Sequence, residues 1–298
     1  MSKSSTSYFP TTLPIGTIGD LLAGCAAMLE SEGVNEPKRE ARDILAAVLD
    51  VPKFWAAANS VADASPDVAI AVIRAAMQRA VGAPLAYAVG RASFRHLTLE
   101  VDERVLIPRV ETEVLVERVL EHCDDETNRV ADIGTGSGAI ALSLAFEREF
   151  ERVFATDISL DAIDVAAANA ASLGNVLKSP VEFRHGSLLA PLRGEKLDVV
   201  VCNPPYVSFA ELADLPPDVR DWEPSLALLS PQDGLAATRE LIRQAPHQLV
   251  SGGLLALEVD ARRAGTVAEM VSVDSRYSEV EVLLDLTGRE RFVFARRV

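Results

Sequence analysis

Cysteine is scarce in this chain. Three residues, Cys25, Cys123 and Cys202, lie too far apart for a redox pair or a metal-ligand cluster, and they read as reduced thiols. The four histidines (His96, His122, His185, His247) are equally dispersed, so no metal site is expected. Basic residues are outnumbered, 29 Lys and Arg against 44 Asp and Glu, for a net charge of −15. No basic stripe interrupts that balance, which argues against a polyanion as main partner and predicts no direct contact with nucleic acid. No apolar run approaches a membrane span, and the Ser/Thr-rich start, Met1 to Thr12, has no apolar signal core. The expectation is a cytoplasmic protein with no membrane contact and a disordered tail over residues 1–16. Its hydrophobic content of 49% is ample for a packed core.

What is present falls into two regimes. Residues 17–86 predict a small helical domain. Thr17 with Asp20 resembles a capping box, and Ile18, Leu21, Leu22, Cys25, Ala26 and Leu29 follow at helical spacing. Pro37 opens a second helix with a stripe of Ala41, Ile44, Leu45, Val48 and Leu49. Ser65-Pro66 opens a third, carrying Ile70, Ile73, Met77 and Val81. Residues 87–108 predict a β-hairpin linker. Phe94, Leu97, Leu99 and Val101 alternate, and Val105-Leu106-Ile107 follows a charged turn at Asp102-Glu103-Arg104. Pro108 to Glu113 is a polar lead into the helix of Val114, Leu115, Val119 and Leu120.

Residues 109–298 then alternate strand and helix. Strands are predicted over 130–133, 153–156, 181–183, 199–202, 254–259, 280–284 and 291–296. Helices are predicted over 139–146, 160–171, 235–250 and 262–272. The fold class is therefore α/β: a doubly wound, mostly parallel seven-stranded sheet with an antiparallel ending. Residues 207–233, rich in proline, are long for a connection and expected to cover a ligand.

Two loops carry the chemistry. Asn203-Pro204-Pro205-Tyr206 follows the apolar strand ending at Cys202. Two prolines fix φ twice and remove two N–H donors, which leaves nearby carbonyls free to accept. Asn203 adds a side-chain acceptor and Tyr206 an aromatic face, so the loop suits a flat group bearing N–H donors. The second loop is Asp132-Ile133-Gly134-Thr135-Gly136-Ser137-Gly138, between the first sheet strand and its helix. Its glycines permit a tight turn and close approach of a ligand to the backbone. The next strand ends at Asp157, placed for ribose hydroxyls, a contact that NAD and S-adenosylmethionine both need. Asp132, expected on the lip of the loop, favours the methyl donor, because a carboxylate suits an α-amino group or sulfonium better than a pyrophosphate. The run Asp124-Asp125-Glu126 reads as a solvated helix end.

Together these two loops resemble the class I S-adenosylmethionine-dependent N-methyltransferases, with their Rossmann-like fold. Val105-Leu106-Ile107-Pro108-Arg109-Val110-Glu111-Thr112-Glu113 narrows the resemblance to the protein-(glutamine-N5) methyltransferases that modify peptide chain release factors. Trp222-Glu223-Pro224, Asp233-Gly234-Leu235 and Gly252-Gly253-x-Leu255-x-Leu257-Glu258 also fit, so the resemblance spans nearly the whole chain. It implies that Asp132 and Gly134, Thr135, Gly136, Ser137 and Gly138 hold the methionine part of the cofactor. Asp157 and Ile158 would take the ribose, and Ser187 and Leu188 would flank the adenine. Asn203 would touch cofactor and substrate, with Asn203, Pro204 and Tyr206 catalytic and Pro205 completing the acceptor site. The implied cofactor is S-adenosyl-L-methionine, leaving as S-adenosyl-L-homocysteine, without a metal, and the implied partner is a release factor. Ser187 replaces an acid of the family pattern, and Ser93, His96 and Val110 depart from it in the linker. The residues alone leave open a paralogue acting on another amide or amine, an N6-adenine methyltransferase, an NAD-dependent oxidoreductase or an inactive scaffold.

Overall fold

A computed structural model describes residues 16–298. The predicted tail over 1–16 thus lies, apart from Gly16, outside the described residues. The chain divides into two compact units, one ending at Val89 and the other beginning at Gly90.

The first unit consists of α1 (Ile18–Ser31), α2 (Pro37–Leu49), α3 (Trp55–Ala58), α4 (Pro66–Ala80) and α5 (Leu85–Val89). The capping box forms: the Thr17 hydroxyl accepts from the Asp20 amide and the Asp20 carboxylate from the Thr17 amide. The faces expected for α1 and α2 are the ones that pack, through Ile18, Cys25, Leu29, Ala41, Ile44 and Leu45. The stripe expected for α4 packs only at Ile73, which is half-buried against this core. Ile70, Met77 and Val81 are 54%, 42% and 71% exposed, and the buried face is Ala69, Val72, Ala75 and Ala76. A shift of one residue turns a helix by about 100°. Alanines let α4 approach α1 and α2 closely, and close packing prevails over burying the larger side chains at a wider spacing.

The second unit opens with a hairpin, β1 (Arg91–Phe94) and β2 (Leu97–Glu100). Its turn is Arg95–His96, not Asp102-Glu103-Arg104, and Val105–Ile107 forms no strand. Arg95 takes φ 49° there, held by its guanidinium on both Glu147 oxygens at 2.5 and 2.7 Å and on the Glu113 carbonyl at 2.8 Å. The predicted polar lead instead starts a helix, α6 (Val110–His122), after the extended Arg109.

The sheet follows: β3 (Arg129–Ile133), α7 (Ala139–Glu147), β4 (Arg152–Asp157), α8 (Leu160–Leu173), β5 (Val181–His185) and β6 (Leu197–Cys202). After two short helices, α9 (Pro217–Arg220) and α10 (Ser225–Leu228), come α11 (Ala236–Gln244), β7 (Leu249–Glu258), α12 (Ala264–Ser272), β8 (Tyr277–Leu284) and β9 (Glu290–Arg297). The order across the sheet is β5-β4-β3-β6-β7-β9-β8, parallel from β5 to β7 and antiparallel beyond. Alternate residues feed two cores: Val199 and Val201 face one, Val200 and Cys202 the other. The helix predicted to reach Val250 ends at Gln244, because Pro246 cannot donate to a continuing ladder, and β7 begins at Leu249. The chain winds outward from β3 to β5 and then returns to place β6 on the other side of β3. That reversal opens a crevice at the carboxyl ends of β3 and β6.

Candidate active site

Both loops singled out in the sequence leave the sheet at this crevice. Gly134, Gly136 and Gly138 all have positive φ, at 75°, 56° and 85°. The amides of Gly134 and Thr135 both donate to the Thr156 carbonyl at 2.8 and 2.9 Å, which folds the loop back over β4. A Cβ on Gly134 or Gly136 would meet no protein atom within 4 Å, whereas one on Gly138 would lie 2.9 Å from Leu142 Cδ1. The first two glycines therefore border open space, and the third lets α7 start tightly. The Thr135 and Ser137 side chains are buried and shape the loop.

Asp132 is not on the lip. It is fully buried one residue before the end of β3, where Oδ2 accepts from Thr135 Oγ1 at 2.7 Å and from the Ala141 amide at 3.1 Å. Strand alternation turns it under the loop toward α7. Its Oδ1 has no hydrogen-bond partner among the described residues. Burial, with Asp157 adding to it, pushes this carboxyl up to about 7 despite those two bonds.

Asp157 closes β4. Its Oδ2 accepts from the Gly136 amide at 3.0 Å and its Oδ1 from the Ser159 amide at 2.9 Å, so each oxygen keeps a lone pair for another donor. Burial raises its pKa, and the backbone bonds oppose that. Gly134, Gly136, Asp157, Ile158, Ser187, Leu188, Asn203, Pro204 and Pro205 all line one cavity of about 380 Å³, the residues after β5 and β6 flanking those after β3 and β4. Leu188 sits at φ 47° with its carbonyl accepting from Thr156 Oγ1 at 3.1 Å.

Asn203 is half-buried at the end of β6. Its Nδ2 donates to Thr112 Oγ1 at 3.1 Å, and that hydroxyl donates to Glu258 Oε2 at 2.8 Å. No donor among the described residues reaches Asn203 Oδ1 or the Pro204 carbonyl. Tyr206 is half-buried and does not line the cavity; burial, then Glu258, push its phenol up to about 12. The shelf is anchored behind by Gly234, where a Cβ would come within 2.3 Å of the Tyr206 carbonyl oxygen. Arg263 ties the same segment down, donating to the Asp233 carbonyl at 2.9 Å and to Glu211 at 2.6 Å.

Other lining residues come from outside the two loops, some of them from the connection expected to cover a ligand. Arg104, Val105 and Leu106 contribute from the segment after the hairpin, and Pro224, Leu226 and Ser230 from the long connection. Glu223 joins these segments, accepting from Arg109 Nη2 at 2.5 Å and from the Ile107 amide at 3.2 Å. Burial raises its pKa against that pairing. Pro-rich length was the signal for the connection; Thr112 and Glu258 fall within motifs that carry the family resemblance, but nothing in the sequence showed that they meet each other and Asn203. Among the described residues no three His, Cys, Asp or Glu side chains converge as a metal site, and no helix is long and apolar enough to cross a membrane. All three cysteines are buried and free.

Residues 110–214 match the Methyltransferase small domain family, and residues 20–90 match the PrmC N-terminal domain. A release factor glutamine methyltransferase of Moorella thermoacetica is 43% identical over 282 residues, 94% of this chain and 99% of that protein. One from Deinococcus radiodurans is 39% identical over 279 residues, covering 93% and 98%. Among solved structures, the hMettl16 catalytic domain in complex with MAT2A 3'UTR hairpin 1 has a similar fold, with a TM-score of 0.54 at 17% identity over 78% of this chain and 81% of that one.

Proposed function

The chain belongs to the release factor glutamine methyltransferase family, and from that membership we propose that it methylates the side-chain amide nitrogen of a glutamine in a peptide chain release factor, using S-adenosylmethionine. The observation that carries this reading is the free Asn203 Oδ1 beside the Pro204 carbonyl, in one cavity with the glycine loop. Gly134 and Gly136 leave room for the methionine chain, and Asp132, buried beneath the loop, adds negative charge behind it. Asp157 takes the ribose hydroxyls, with Ile158, Ser187 and Leu188 around the adenine. Bound in that way, the cofactor supplies an electrophilic methyl carbon on a sulfonium.

The protein's own task is to prepare a poor nucleophile. An amide lone pair is delocalised into its carbonyl. Asn203 Oδ1 and the Pro204 carbonyl accept the two N–H bonds, turn the nitrogen toward the methyl carbon and stabilise positive charge as it grows there. The amide nitrogen so oriented would accept the methyl group that the cofactor supplies, and its displaced proton would leave to water. Pro205 stiffens the shelf. Tyr206, outside the cavity that Gly134 and Asp157 line, walls the acceptor side. In this reading the helical residues 17–86 dock the release factor, the linker 87–108 joins them to the catalytic residues 109–298, and the reaction takes place in the cytoplasm.

The test is mass spectrometry of release factors incubated with the protein and labelled S-adenosylmethionine. The expected result is one label on a glutamine amide nitrogen. Label confined to nucleic acid or small amines, or none at all, would overturn the reading.

A further inference from the structure

An asparagine offers an acceptor only if its amide is turned the right way, since a half-turn about the last bond exchanges oxygen for NH2. Nothing in Asn203 itself chooses. Thr112 does, because a hydroxyl has one proton. That proton goes to Glu258 Oε2 at 2.8 Å, which leaves Thr112 Oγ1 able only to accept from its other neighbour, Asn203, at 3.1 Å. Thr112 and Glu258 are 5% and 1% exposed, so water does not compete for these bonds.

We propose that Thr112 and Glu258 are positioning residues which hold the Asn203 amide with its nitrogen inward and its oxygen toward the acceptor. The proposal rests on the reading of Asn203 as an acceptor-binding residue. It explains why a carboxylate is buried at the end of β7 with no cationic partner within ion-pair distance among the described residues. Arg109 is paired with Glu223 instead, and Arg291 with Asp285.

The arrangement depends on the charge of Glu258. The groups facing it are Thr112, Glu111 and Arg109 from α6 and its lead-in, Arg291 near the start of β9, Cys202 at the end of β6, and Tyr206. Burial pushes its carboxyl up to about 7, against the Thr112 bond and Arg291. Once protonated, Glu258 donates to Thr112, the threonine proton turns to Asn203, and the amide rotates. Its NH2 then confronts the NH2 of the substrate, donor against donor.

The experiment compares full-length wild type, T112V, T112S and E258Q in single-turnover methylation of a release factor between about pH 6 and pH 8.5. The Asn203 side-chain amide proton signals, identified by their loss in N203A, are followed by NMR over the same range. T112V should lose about tenfold to a hundredfold in kcat, the usual scale for removing an orienting partner, with binding of S-adenosylhomocysteine unchanged. T112S keeps the hydroxyl and should restore turnover to within about threefold of wild type. Wild-type kcat and the Asn203 amide signals should both change through a midpoint near 7, and E258Q, which has no charge to lose, should be flat across it. T112V turning over within about threefold of wild type, or an Asn203 signal that ignores both Thr112 and Glu258, would overturn the proposal. Should T112V not fold, E258Q decides by the same two readouts. A wild type that methylates no release factor counts against the proposed function, while the amide signals still test the positioning.

Discussion

Asp157→Ala removes the carboxylate that bridges the glycine loop and the start of α8. A carboxylate offers about four lone-pair positions. Two of them accept from the Gly136 and Ser159 amides at 3.0 and 2.9 Å, which leaves two for ribose hydroxyls. A hydrogen bond to a charged group contributes about 1.5–3 kcal/mol net. Losing two, with water recovering part in the space left by the side chain, should weaken cofactor binding by about 3 kcal/mol, or roughly a hundredfold in Kd. Asp157→Asn should be nearly as damaging. Its amide nitrogen must face either the Gly136 or the Ser159 N–H, donor against donor, so it disorders the loop as well. Because the ribose lies away from the reacting carbon, the loss is of uniform binding: KM for the cofactor rises and kcat at saturation stays within a few-fold of wild type. Calorimetric titration with S-adenosylhomocysteine measures the affinity, and a thermal melt shows that the variant is folded. A folded Asp157→Ala protein binding within about threefold of wild type would refute the assignment of the ribose site.

Asn203→Ala should lower kcat on the order of a hundredfold, the scale of one oriented transition-state partner, while cofactor affinity shifts only a few-fold; turnover near wild type would remove Asn203 from the mechanism. Asp132 is held up at about 7 by burial, so folding favours its protonated form. That contribution is fully present below the unfolded-state value near 4 and is lost as pH rises through about 7. Asp132→Asn should therefore gain on wild type by about 2 to 3 kcal/mol in unfolding free energy between about pH 5 and about pH 8, read from urea titrations; a pH-independent difference would contradict it. The same carboxylate must be ionised to add negative charge behind the loop, so wild-type cofactor affinity should fall toward acid pH and that of Asp132→Asn should not. Gly138→Ala forces a Cβ into a backbone of φ 85° and to within 2.9 Å of Leu142 Cδ1. It should cost about 2 kcal/mol, or about 4–8 °C in a thermal melt, and an unchanged Tm would show the loop to be more yielding than its packing indicates.

Much of this molecule was legible in the chain before any coordinates. Strands β3, β4 and β6 are short, largely apolar runs, and the loops after β3 and β6 carry glycine or proline, whose backbone restrictions act locally. The glycine loop, Asp157 and the Asn203-Pro204-Pro205 shelf could therefore be named from residue type and spacing, and they line one cavity. What failed depended on neighbours distant in sequence. The exposed face of α4 could not be told from the buried one, because alanine's value lies in the closeness of the helix opposite. Asp132 looked like a lip residue until strand alternation put it beneath its own loop, with an oxygen left over. The direction of the Asn203 amide was settled by Thr112, 91 residues away in sequence, and Thr112 by Glu258, 146 residues from it. Local backbone chemistry decides where a loop goes. Which atom of a side chain faces the substrate is decided by who else needs that proton, and only folding brings those competitors together.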